Sequence, residues 1–76
     1  MNINELQTAL EHSREQLFQA EKQLDATTEP ELIDAAIFEQ KAWESRCSYY
    51  RRKIKEAVAS GQAIPRQRLN HSGGRG

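Results

Sequence analysis

No glycine occurs before position 61, and the four present crowd the C-terminal end. A phosphate-cradling loop needs glycines between a strand and a helix, so this absence removes the nucleotide-binding loops from consideration. Only two prolines, Pro30 and Pro65, interrupt the chain, leaving long stretches free to be helical. Cys47 is the single cysteine, so no internal disulfide can form, and an unpaired thiol fits a reducing cytoplasm better than a secreted scaffold. Long apolar runs are also missing. The longest, Ala35-Ala36-Ile37-Phe38, falls far short of the ~20 residues a spanning helix needs, and Met1 to Leu10 lack the pattern of a signal peptide. These absences point to a cytoplasmic chain without a membrane partner.

What is present is unevenly spread. The formal net charge of the 76 residues is zero, yet residues 1 to 40 carry nine acids against two bases, and residues 41 to 76 carry nine bases against two acids. A chain that doubled back would lay an acidic arm beside a basic one, which favours a hairpin over a single rod. A chain this short buries only about 60 % of the surface exposed when unfolded, so two helices alone make a marginal core. With disulfides excluded, self-association is the expected remedy.

Apolar residues recur at Ile3, Leu6, Leu10, Leu17, Ala20 and Leu24 with the three-and-four spacing of a helix, which is expected over about residues 5 to 25. Asn4 and Gln7 suggest a capping box at its start. The Asp25-Ala26-Thr27-Thr28-Glu29-Pro30 segment breaks the pattern, and Thr28 with Glu31 forms a second capping signature. A second helix is expected over about residues 29 to 60, with Gly61 as its stop. Folding back pairs positions whose numbers add to roughly 54. In that register Leu10, Leu17, Leu24, Ile33, Ile37, Trp43 and Tyr50 form the seam, and Lys53 to Val58 overhang the first helix. Residues 61–76 read as a flexible basic tail.

A second apolar stripe on the later helix, Ala35, Phe38, Ala42 and Tyr49, cannot share the seam. Together with Phe18 on the earlier helix it marks a candidate protein interface at Phe38, Ala42, Tyr49 and Phe18, because contiguous exposed aromatic surface usually is one. The plainer reading is irregular packing with ordinary surface aromatics. Arg51, Arg52, Lys53 and Lys55, directly after two tyrosines, are the candidate nucleic-acid contact, extended by Arg66, Arg68 and Arg75. The competing account treats them as cations complementing a helix end. Glu11, His12 and Glu15 have no second histidine near them, so no metal is assigned. Cys47 falls on the seam as a small apolar filler. No spacing marks a proton-transfer dyad, so no catalytic residue, metal or cofactor is assigned and the chain reads as a non-enzyme.

The segment from Glu29 to Glu39, Glu-Pro-Glu-Leu-Ile-Asp-Ala-Ala-Ile-Phe-Glu, followed by Ala42, Arg46, Tyr49-Tyr50 and Lys55, resembles the YaaL-like family of short uncharacterised proteins from spore-forming Gram-positive bacteria. The likeness covers about residues 5 to 56; Cys47 stands where that family often has an aromatic. It implies a small cytoplasmic helical protein with no established activity. The small aspartyl-phosphate phosphatases of the sporulation phosphorelay are also helical hairpins, but their Ser-Gln-Glu-Leu-Asp signature is absent where this chain has Asp34-Ala35-Ala36-Ile37-Phe38. That likeness is one of shape, and shape does not carry activity.

The expectation is therefore an all-α antiparallel two-helix hairpin over residues 1–60, dimerising into a four-helix bundle or docking onto an unidentified protein partner. Its expected role is an interaction module or regulatory adaptor. Nucleic-acid binding is the alternative, and phosphatase activity the outside one.

Overall fold

The computed structural model describes residues 1–61, which form two helices, α1 (Ile3–Ala26) and α2 (Pro30–Ala59), joined by Thr27, Thr28 and Glu29. The expected tail, including Arg66, Arg68 and Arg75, lies outside the described residues apart from Gly61.

α1 begins two residues earlier than its expected start. Asn2, not Asn4, is the N-cap: its Oδ1 accepts the Glu5 backbone N–H at 2.8 Å, and Glu5 Oε1 accepts the Asn2 N–H at 3.1 Å. This reciprocal box satisfies two helix-end donors and sets a carboxylate where the helix dipole favours it. It also brings Ile3 into the helix, where it is buried.

The capping box expected from Thr28 and Glu31 does not form. Pro30 takes the first helical position, which makes Glu29 the N-cap and holds it extended at φ −77°, ψ 121°. Glu31 is then one position too early to complete a box. Thr27 Oγ1 instead accepts the Glu29 N–H at 3.1 Å and braces the reversal. At the far end Ser60 caps α2, and Gly61, at φ +100°, sits in the left-handed region and donates its N–H to Val58 O at 3.0 Å. A glycine adopts that conformation without strain, so the stop falls where it is expected.

The helices meet along an unbroken three-and-four spacing. On α1 it runs through positions 3, 6, 10, 13, 17, 20 and 24, and on α2 through 33, 36, 40, 43, 47, 50, 54 and 57; every one of these residues is buried or half-buried. That is the repeat of an antiparallel coiled coil. Ile3, Leu6 and Ala57 form one buried cluster, with Tyr50 and Ile54 packed against it. Paired positions therefore add to about 60 rather than 54. The shift of six residues moves α2 by about 9 Å along α1. Its cause is the reversal itself: the first turn of α2 is spent turning, Leu32 stays exposed, and Ile33 is the first seam residue.

Two expectations change with the register. Lys53 to Val58 do not overhang α1, because Ile54 and Ala57 pack beneath Ile3 and Leu6. Ile37 is not a seam residue either; its neighbour Ala36 is buried, and Ile37, about 100° further round the helix, flanks the seam. Leu10 is buried, while Leu17, Leu24, Ile33, Trp43 and Tyr50 are half-buried along it as expected.

The middle of the seam is built from small side chains. Ser13 and Cys47 are the largest fully buried ones, and Ala20 and Ala36 are covered as completely. The Ser13 hydroxyl donates to Ala9 O at 2.8 Å, so its burial leaves no orphaned polar group. Small residues let the helices approach closely, and the same closeness limits how much apolar area the seam can hide.

Ser13→Leu should overpack this centre and lower stability by about 1–3 kcal/mol. Ser13→Ala should change it by less than about 1 kcal/mol, because the lost hydroxyl bonds only within its own helix. Urea denaturation followed by far-ultraviolet circular dichroism at one fixed concentration measures both. Cys47 should react with a maleimide far more slowly in the folded chain than in urea, and equal rates would place its thiol outside the seam.

Candidate interaction surfaces

Two residues beyond each seam position, about 200° around α2, lies the opposite side of the helix. Ala35, Phe38, Ala42, Ser45 and Tyr49 occupy it, all exposed. Phe38 is 75 % exposed and Tyr49 45 %. The hairpin measures 48 × 26 × 14 Å, one helix thick in its smallest dimension, so α1 can cover only one side of α2. Phe18 is also exposed, but on α1, with the Lys22 ammonium 5.4 Å from its ring centre. The four expected interface residues thus divide: Phe38, Ala42 and Tyr49 share one face of α2, and Phe18 stands apart.

Tyr49 is held in place despite its exposure. Its ring meets Tyr50 edge-on at 5.3 Å between centres, and Tyr50 is anchored in the cluster at the open end of the hairpin. The Arg52 guanidinium lies over Tyr49 at 5.4 Å and reaches Glu56 at 3.8 Å. An aromatic already fixed in its bound position loses little freedom when a partner covers it.

The basic run is dispersed by helix geometry. Arg51, Arg52 and Lys53 follow one another at about 100° steps, so they face three directions. Arg52 and Lys53 both pair with Glu56, Lys53 at 3.0 Å. These cations do not complement the end of α2, whose last turn holds no base. Arg51 and Lys55 instead join Arg14 of α1 around a shallow groove floored by Leu10 and Ile54 and edged by Gln7 and Glu11. Arg14 is the contributor that the sequence pattern could not supply, since only the register brings it beside Arg51. The two ion pairs to Glu56 lie within α2 and join no acid of α1. The charge split is therefore not expressed through them as pairing between the arms.

His12 is exposed, as expected, but not idle: its ring meets Trp43 edge-on at 5.6 Å across the helices, with Arg46 stacked over Trp43 at 5.2 Å. The half-buried Trp43, flanked by the exposed His12 and Arg46, closes one side of the seam. Cys47 is a buried free thiol. Among the described residues no group of three or more His, Cys, Asp or Glu could hold a metal ion, and no helix is long and apolar enough to cross a membrane. Comparison with protein-family models, curated proteins and solved structures returns no match.

Any single-stranded oligonucleotide retained at low salt should be held by the groove of Arg14, Arg51 and Lys55. Replacing Arg51 and Lys55 with glutamine should then weaken retention about ten-fold, whereas replacing Arg52 and Lys53, already tied to Glu56, should cost about two-fold or less. Equal losses in a gel shift would show that helix placement does not govern the contact.

Proposed function

We propose that this chain is a helical protein-interaction module, a binding or adaptor protein rather than an enzyme, whose working surface is the outer face of α2. The observation that carries the reading is the exposure of Phe38 and the braced Tyr49 on the one side of α2 that α1 cannot reach. Apolar surface of that kind, rimmed by charge, marks a site covered by another molecule. A small cytoplasmic protein of the YaaL-like kind accords with it. Burial of this face also supplies the apolar area that the small-residue seam does not.

Nucleic-acid binding is the second reading, favoured by the juxtaposition of Arg14 with Arg51 and Lys55. It ranks lower because Glu11 edges the groove and two of the four candidate cations are engaged by Glu56. Aspartyl-phosphate phosphatase activity ranks last, having only the hairpin shape in its favour.

Phe38→Glu tests the leading reading, since Phe38 is too exposed to matter for the seam. The variant should retain its helicity at matched concentration while losing self-association by light scattering or retention of a protein partner. Unchanged mass together with unchanged partner capture would end this reading. A shortened lifetime of a phosphorylated response regulator in the presence of the chain would promote the phosphatase instead.

A further inference from the structure

The outer face of α2 carries both a projection and a place to receive one. Phe38 stands on the side nearer the bend. A shallow depression lined by Lys41, Glu44, Ser45, Ser48, Tyr49 and Arg52 spans the middle of α2 and extends toward the open end. We propose that the occupant of this face is a second copy of the chain, paired antiparallel through α2 about a two-fold axis at Ser45. This deepens the interaction-module reading and rests on it.

Three observations converge on that register. A two-fold axis at Ser45 pairs positions whose numbers add to about 90, as an isologous contact requires. Phe38 then enters the other copy's depression against Arg52 and Tyr49, where the guanidinium already lies on an aromatic ring. Tyr49 lies over Ala42 of the second copy, and the small Ala42, Ser45 and Ser48 allow close approach at the centre. The charge order agrees in outline: Glu31 and Asp34 lie toward the bend and Arg51, Arg52, Lys53 and Lys55 toward the open end, so reversal brings the acidic end of one α2 to the basic end of the other. Glu56, opposite Asp34, is already neutralised by Arg52 and Lys53. A parallel pairing would set Phe38 on Phe38 and stack like charges, so it is disfavoured.

The face and the seam lie on opposite sides of α2, so the dimer is a row of four helices, α1 and α2 of one copy followed by α2 and α1 of the next. This differs from a closed four-helix bundle, which would need adjacent faces. Contact along some twenty residues of two helices buries roughly 1,000–1,500 Å², at the lower limit for a specific association. The dimer is accordingly reversible and concentration-dependent.

A cysteine at the axis reports the register directly. Helices packed about 8–10 Å apart bring residues on a shared two-fold axis within disulfide reach. In a Cys47→Ala background, which leaves one thiol per chain, Ser45→Cys should form a linked dimer under oxidised glutathione. Ala35→Cys, whose counterpart is Lys55 rather than itself, should link at least about ten-fold more slowly, because its two copies stand about 30 Å apart. Adding Phe38→Glu to Ser45→Cys should abolish the fast linkage, with circular dichroism verifying that each variant is folded. Equal rates for the two thiols, or a dimeric mass without linkage at Ser45, would overturn the register. A monomeric mass throughout, with Phe38→Glu still disrupting retention of a different protein, would overturn self-pairing yet leave the interaction-module reading standing.

Discussion

A two-helix chain can bury only one side of each helix, and here the buried side is furnished with small residues. Ser13, Ala20, Ala36 and Cys47 bring the backbones close, while large apolar contacts concentrate at the open end around Ile3, Leu6 and Ala57. Area hidden from water is what stabilises folding, at about 25 cal/mol per Å², and small side chains hide little of it. The aromatic residues that could contribute more, Phe18, Phe38 and Tyr49, are exposed instead. The same constraint that makes the hairpin thin leaves the outer face of α2 available.

Fold class and both helices are legible in the sequence because they depend on local periodicity, on Pro30 and on Gly61. The inter-helix register is not legible in the same way. It depends on how many residues the reversal consumes, and Pro30 settled that by moving the N-cap to Glu29 and leaving Leu32 outside the seam. A difference of six residues there is what separates the expected overhang at Lys53 to Val58 from the observed packing of Ile54 and Ala57 against Ile3 and Leu6. Ile37 is expected in the seam for a related reason: beside the buried Ala36, hydrophobicity alone favours the larger residue, whereas close helix approach selects the smaller. That Phe38, Ala42 and Tyr49 share one exposed face is legible because it relies on spacing within one helix. Arg14 beside Arg51, and His12 against Trp43, depend on contacts between helices, so sequence spacing carried no sign of them.

The charge asymmetry takes a different meaning from the fold. It does not act through ion pairs from Arg52 or Lys53 to the acidic arm, since both cations turn to Glu56 on their own helix. Along α2 itself, however, acid lies toward the bend at Glu31 and Asp34 and base toward the open end at Arg52 and Lys55. That gradient is complementary to its own reverse. Apolar shape and charge order along one helix thus favour the same antiparallel arrangement of two copies.

The central claim is that the exposed face of α2 is covered by a second copy, and the most direct measurement is the molar mass of the unaltered chain across a wide concentration range by sedimentation equilibrium. The account predicts a reversible rise from the 8.7 kDa of one chain toward twice that value, without larger species, because a two-fold contact closes on itself. A mass that stays at 8.7 kDa at every concentration, or one that climbs beyond the dimer, would contradict it.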